Sequence, residues 1–341
     1  MLQLAVICLA LSYTLQLSGA NLIDNALQID DETAMRAQFE DFKMKYKKKY
    51  DQEEEERRFQ IFVENLKDAK RMQGEDQATA VYGVNKFSDI SDEEFEKFYL
   101  NPTISEDNST WPEEYKWTEG SERLENLSCP RRVDWRRRRA VTRVKNQGRC
   151  ASSWAFGVVA NIESVWYIKK RQLLILSEQE LLDCDSWDRG CKGGFAYNAF
   201  NSIVSLGGLM RFRDYRYRAS RGSCKLIKSK VSVRIRTFRS IRPHEVEMRV
   251  WVAHRSPIVV TINAAALKGY RRGIIRPRFG RCSSTRLNHV VTIVGYGRCG
   301  RHRYWIVKNS WGVNWGERGY FRIYRGEQAC GINRFPCTCV L

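Results

Sequence analysis

An α+β fold with two unlike halves, preceded by a helical segment, is what this sequence predicts. Three observations carry the prediction. Aromatic and apolar residues recur at three- and four-residue steps early in the chain, as on one face of a helix. A long apolar stretch without proline, Ser153 to Lys169, reads as a buried helix. Strand-like runs come late, at Ile258 to Ile262, Val290 to Val294 and Tyr304 to Val307. Helices first and strands afterwards fit two packed but dissimilar layers.

The chain has 341 residues, enough for one large domain or two medium ones after processing. Residues 1–20 read as a signal peptide: Leu2 to Leu17 is apolar, no side chain is charged, and Ser18-Gly19-Ala20 suits cleavage. A membrane anchor is the alternative, but the run is short for a span and no later segment is apolar enough, so no transmembrane anchor is expected. Eleven cysteines include Cys8, and the other ten lie from Cys129 onward. In a secreted chain these read as disulfides. There is no C-x-x-C pair and no Cys/His cluster at zinc spacing, so neither metal nor cofactor is expected. Asn108-Ser109-Thr110 and Asn126-Leu127-Ser128 are candidate glycosylation sites on Asn108 and Asn126.

Charge divides the chain near residue 126. Residues 21–126 hold 27 acidic and 15 basic side chains, whereas residues 127–341 hold 12 and 43, of which 34 are Arg. The nets are −12 and +31. In the acidic segment Phe39, Phe42, Tyr46 and Tyr50 share one helix face. A second stripe follows through Glu54, Arg58, Ile61, Phe62, Asn65, Ala69 and Gln73, and the Glu54–Arg58 step suits an ion pair. Gly83-x-Asn85-x-Phe87-x-Asp89 alternates like a short strand, with Ser91 or Asp92 capping the next helix. Residues 101–126 read as an exposed linker open to proteolytic nicking. In the basic segment Ser177-Glu178-Gln179-Glu180 reads as a capping box.

Three separated motifs carry the chemistry. They are Gln147-Gly148-Arg149-Cys150-Ala151-Ser152-Ser153-Trp154-Ala155-Phe156, then Asn288-His289 leading to Gly295-Tyr296-Gly297, then Lys308-Asn309-Ser310-Trp311-Gly312. Alone each is a helix start, a strand start or a turn. Together, in this order and at these separations, they resemble the papain-like cysteine proteases. The acidic stripe with Ala69 and Gln73 resembles the propeptide of the cathepsin F branch. Val133-Asp134-Trp135, Cys184-Asp185, Gly190-Cys191-x-Gly193-Gly194 and Gly316-x-x-Gly319-Tyr320 have counterparts there too.

The resemblance implies a two-lobe fold, with a helical left lobe and a β-barrel-like right lobe, behind an inhibitory-type helical propeptide. The divisions are then 1–20, signal peptide; 21–126, propeptide and linker; 127–341, peptidase-like domain. It implies a secreted or lysosome-like location, with the protein's own propeptide and polypeptide ligands as occupants of the cleft. Gln147 becomes the oxyanion donor, His289 the acid/base, Asn309 its orienter, and Trp311 a shield over their hydrogen bond. Ala151, Gly193, Gly194, Phe195, Ala196, Thr261, Asn288, Val290 and Trp311 line the substrate pocket. The implied disulfides are Cys150–Cys191, Cys184–Cys224 and Cys282–Cys330, leaving Cys129, Cys299, Cys337 and Cys339.

Ser153 stands where that family has its nucleophilic cysteine. An alcohol is a far weaker acid than a thiol, and the ion-pair mechanism needs a nucleophile that is already ionised. Serine proteases back their His with a carboxylate, whereas Asn309 is neutral. Ala151 replaces a usual Gly and can crowd the substrate backbone. The implied function is a non-catalytic binding protein derived from a protease; the alternative is a feeble hydrolase using Ser153, His289 and Asn309. The arginines, including the run Arg136 to Arg139, make polyanions such as sulfated glycans candidate partners. No motif for sequence-specific nucleic-acid recognition is present.

Overall fold

Aromatic residues spaced for a helix, and Val/Ile runs spaced for strands, settle into the elements expected of them in most of the chain. The structure is a computed structural model describing residues 32–106, 127–277 and 282–341. The signal-peptide reading of 1–20 and the sequon residues Asn108 and Asn126 lie outside the described residues. The chain divides into two compact units, one ending at Glu64 and one running from Asn65 to Leu341.

In the first unit, helix α1 covers 32–46 and α2 (Gln52–Glu75) begins. Phe39, Phe42, Phe59 and Phe62 are buried, and Phe62 lies 5.3 Å from both Phe39 and Phe42. Tyr50 falls beyond the end of α1 but stacks on Phe39 at 6.3 Å. The expected Glu54–Arg58 pair forms at 2.6 Å, and hydrogen bonds from Arg57 and Arg58 hold the Glu54 carboxyl down to about 2.

The second unit opens with the rest of α2, β1 (Val81–Tyr82), α3 (Asp92–Tyr99) and α4 (Pro102–Glu106). The alternating Gly83–Asp89 stretch is not a strand. Asn85 folds it into a turn, accepting the Phe87 N–H at 2.8 Å and donating to the carbonyls of Lys268 and Tyr270. Local Asn hydrogen bonds compete with strand pairing in this way. Ser91 is the cap of α3, in a complete capping box with Glu94.

After β2 (Val133–Asp134), the helical lobe contains α5 (Ser153–Lys170), α6 (Gln179–Cys184) and α7 (Ala196–Leu206). The capping box before α6 is half formed. Ser177 Oγ accepts the Glu180 N–H, but the Glu180 carboxylate instead accepts the N–H of Met210. After β3 (Leu209–Met210) and β4 (Val231–Val233) come β5 (Thr237–Ser240), α8 (Glu245–His254), β6 (Ile258–Ile262), β7 (Tyr270–Arg272) and β8 (Ile274–Ile275). The chain ends with β9 (His289–Cys299), β10 (His302–Lys308), β11 (Tyr320–Tyr324) and β12 (Arg334–Val340). The main sheet runs β5-β12-β6-β9-β10-β11-β8, and β2 joins it on β9.

Helix α5 is buried from Ser153 to Val165, as its all-round apolar composition requires. It packs closely on β9: a Cβ at Gly157 would lie 2.7 Å from Val290 Cγ1. That contact carries the start of α5 to the start of β9, and so Ser153 to His289. Cys150–Cys191, Cys184–Cys224 and Cys282–Cys330 are bonded, each closing a loop of 40 to 48 residues. Each such closure is worth ~2–4 kcal/mol. Cys129, Cys299, Cys337 and Cys339 are free, the last two buried.

Candidate functional site

The three motifs meet between α5, the head of β9 and the loop after β10. His289 Nε2 lies 2.8 Å from Asn309 Oδ1. That same oxygen accepts the Ser310 backbone N–H at 2.8 Å, so the amide orientation is fixed. An acceptor at Oδ1 makes Nε2 the protonated nitrogen and leaves a bare lone pair on Nδ1. Nδ1 has no hydrogen-bond partner among the described residues. His289 is fully buried, and burial pushes its pKa down to about 4 against the opposing bond from Asn309. Trp311 covers the pair, its ring 4.7 Å from the imidazole.

Ser153 is the first residue of α5 and is buried. Its Oγ accepts the Val290 N–H at 3.2 Å. Gln147 Nε2 donates to the carbonyls of Cys150 and Tyr99, while its Oε1 accepts from Ser310 Oγ at 2.6 Å. Tyr217 Oη bonds both the Gln147 carbonyl and Ser152 Oγ, at 2.8 and 2.7 Å. Sequence reasoning missed Ser310 and Tyr217 as supports of this corner. Ser310 had a signal in its place beside Asn309; Tyr217 had none.

Residues Tyr99 to Thr103 lie along the site, so the exposed linker expected from 101 is wrong at its start: Asn101 and Thr103 are buried, held by hydrogen bonds to Gly194 and Lys192. Tyr99 offers its carbonyl to Gln147 at 3.1 Å. The Asn101 N–H reaches the Asn288 carbonyl at 2.6 Å, and its carboxamide exchanges bonds of 2.6 and 3.2 Å with Gly194 O and N–H. Thr103 Oγ1 donates to the Lys192 carbonyl. Gly193 has φ +115°, and a Cβ there would lie 2.2 Å from Asn101 Oδ1, so only glycine fits. Ala151 is buried beside Cys150, its N–H bonded to the Cys191 carbonyl. Phe195 and Asn288 are half-buried, and Ala196 begins α7. Thr261 and Val290 are cross-strand partners and buried; the Val290 side chain meets α5 at Gly157.

A cavity behind the pair is lined by Lys145, Glu163, Glu178 and Lys308. Lys145 bonds both carboxylates. Burial raises Glu178 to about 7 and lowers Lys308 to about 8.

Two carboxyls organise the loop bearing Gly193 and Gly194. Asp185 Oδ1 accepts the N–H groups of Trp187 and Asp188, and Asp188 Oδ1 accepts from Phe195 N–H and Asn198. Burial, and then the charge of Asp185, push Asp188 up to about 8. A carboxyl raised on folding contributes stability below its unfolded value, and that stability is lost as pH rises through the folded value. The fold should therefore weaken between about pH 4 and 8 on account of Asp188, with Glu180, raised to about 7, acting the same way. His289, lowered to about 4, opposes them only between about pH 4 and 6.5. Asp188→Asn should narrow the difference between urea midpoints at pH 5 and pH 8.5. An unchanged difference would assign the dependence to other groups.

Residues 129–340 match the papain family cysteine proteases, and residues 39–95 match the cathepsin propeptide inhibitor domain (I29). Cathepsin F of Mus musculus is 39% identical over 313 residues, covering 92% of this chain and 66% of that protein. Cathepsin F of Drosophila melanogaster is 37% identical over 315 residues, covering 89% of this chain and 50% of that protein. The chain thus spans between half and two thirds of these relatives' length. A digestive procathepsin L2 proteinase from Tenebrio molitor larval midgut superimposes with a TM-score of 0.80 at 30% identity, covering 90% of this chain and 100% of that one.

Proposed function

Since this chain belongs to the papain family of cysteine proteases, we propose that it is a cathepsin F-like precursor whose proteolysis is absent or feeble because Ser153 holds the nucleophile's place, and that it acts by binding. One observation carries the reading most: Ser153, an alcohol, begins α5 where the nucleophile is expected, its Oγ accepting the Val290 N–H, while His289 Nδ1 has no hydrogen-bond partner among the described residues. A base held near pKa 4 is also poorly matched to an alcohol. Neutral Asn309 fixes the imidazole but supplies no charge to stabilise it once protonated. Gln147 Nε2 donates to the Cys150 carbonyl and to that of Tyr99, so removal of the acidic segment would free one donor beside Ser153 for a polar ligand.

The acidic segment, which carries the propeptide inhibitor match at 39–95, is read as the propeptide, and residues 99–103 run along the site from Gln147 toward Lys192. Processing near residue 126 would open the cleft to polypeptide ligands. Three disulfides, and carboxyls that favour acid, support a secreted or lysosome-like setting. No described helix is long and apolar enough to cross a membrane.

The test is turnover. Protein freed of its propeptide should leave unfolded protein and dipeptidyl substrates intact at pH 5 to 7. Hydrolysis that disappears in His289→Ala would instead support the weak serine-nucleophile hydrolase.

A further inference from the structure

Six arginines from separate parts of the chain meet where β9 and β10 turn back on each other. Arg298 and Arg303 are cross-strand partners there. Arg131 and Arg132, leading into β2, line a pocket of about 370 Å³ with Arg298 and Gly300. Arg325, just past β11, donates its backbone N–H to the Arg303 carbonyl at 3.0 Å. Arg249 of α8 and Arg303 both act electrostatically on Arg325. Arg131, Arg132, Arg298 and Arg303 are exposed and Arg249 is half-buried, whereas Arg325 is only 7% exposed.

The burial of Arg325 is what points to a ligand. Its guanidinium lies over the rings of Tyr296 and Trp305, at 5.3 and 5.4 Å. Its Nε, and that of Arg249, have no hydrogen-bond partner among the described residues. Glu245 is the nearby carboxylate, but its oxygens accept from Trp305 Nε1 and the N–H groups of Gly326 and Gln328. It forms no ion pair with any of the six among the described residues. A buried cation beside like charges is costly unless an anion joins it. Burial, then Arg249 and Arg303, accordingly push Arg325 down to about 10.

We infer that this cluster is a binding site for closely spaced sulfate groups on a sulfated glycan, with one sulfate held among Arg249, Arg303 and Arg325 and its neighbours along Arg298, Arg131 and Arg132. The inference rests on the reading that the chain acts by binding. Planar guanidinium forks take two oxygens at once, which suits sulfate. Single-stranded nucleic acid carries similar charge but needs open aromatic faces for stacking, and Tyr296 and Trp305 are buried beneath the arginines. The Arg136–Arg139 run is a poorer candidate. Arg136 pairs with Asp134 and lies over Tyr320, and Arg138 lies over Trp135.

The experiment is affinity of the full chain for a labelled heparin oligosaccharide as salt is varied, with poly(dT) of equal charge alongside. Six engaged arginines should make the affinity fall about a thousandfold between 50 and 200 mM salt. Arg298→Gln/Arg303→Gln, both exposed, should weaken binding about tenfold or more at low salt and lower the slope by about two units, while Arg137→Gln/Arg139→Gln should change neither. No binding by the parent, equal losses in both double variants, or tighter binding of poly(dT) would each overturn the assignment. Peptide turnover, measured on protein freed of its propeptide, reports separately on the proposed loss of catalysis.

Discussion

Ser153→Cys should raise peptidase activity of the processed protein at pH 5 to 6 by about a thousandfold or more, since losing a nucleophile costs as much or more in a working protease. Position 153 begins an 18-residue helix, so a thiolate there meets the positive end of the helix dipole. His289 presents its unprotonated Nδ1, fixed by Asn309 and covered by Trp311. A thiolate opposite that nitrogen would favour the imidazolium and lift His289 from its low value. Gln147, the proposed oxyanion donor, is already held by Ser310. The missing component is therefore an acidic nucleophile. Adding Ala151→Gly should raise activity further if the methyl group obstructs the substrate backbone. Were neither variant to cleave any unfolded protein or dipeptidyl substrate, the site would have decayed beyond its nucleophile.

Residues 127–341 expressed alone should yield little soluble native protein, and residues 21–126 added in trans should restore it. The chain from Asn65 to Glu106 contributes core to the second unit. Phe87 and Phe95 are buried, each 5.3 Å from Trp311, and β1 pairs with β7. Asn85 closes two carbonyls, and Lys86 reaches the Trp311 carbonyl at 3.0 Å. Gly273 lies so close to Thr79 that a Cβ would sit 1.9 Å from its carbonyl oxygen. Each aromatic side chain stripped of this cover costs about 1.5–3 kcal/mol, and the +31 domain also loses an acidic partner of −12. The readout is the yield of soluble protein carrying all three disulfides. Equal yields with and without the acidic segment would remove it from folding.

Periodicity made α1 and α2 legible, an unbroken apolar run without proline did so for α5, and β6 falls on Ile258–Ile262 as its Val/Ile run indicates. Motif order brought Gln147, Ser153, His289 and Asn309 to one place before any geometry was known. What escaped the sequence was decided by tertiary hydrogen bonds. Gly83–Asp89 has strand alternation, yet Asn85 uses its side chain to build a turn against Lys268 and Tyr270. Glu180 has the spacing of a capping partner, yet Met210 offers it a buried N–H from a distant segment. Arg136 to Arg139 stood out as a run, whereas the cluster around Arg325 is assembled by sheet register and is invisible in one dimension.

The most direct measurement of the central claim is the intact and peptide mass of the processed parent and Ser153→Cys proteins after exposure to a thiol-directed epoxide and a serine-directed fluorophosphonate. Residue 153 of the parent should take up neither reagent, and residue 153 of the variant should take up one epoxide, with labelling at the free Cys129 and Cys299 equal in the two proteins. Phosphonylation of Ser153 in the parent, abolished by His289→Ala, would show an activated serine and contradict the account.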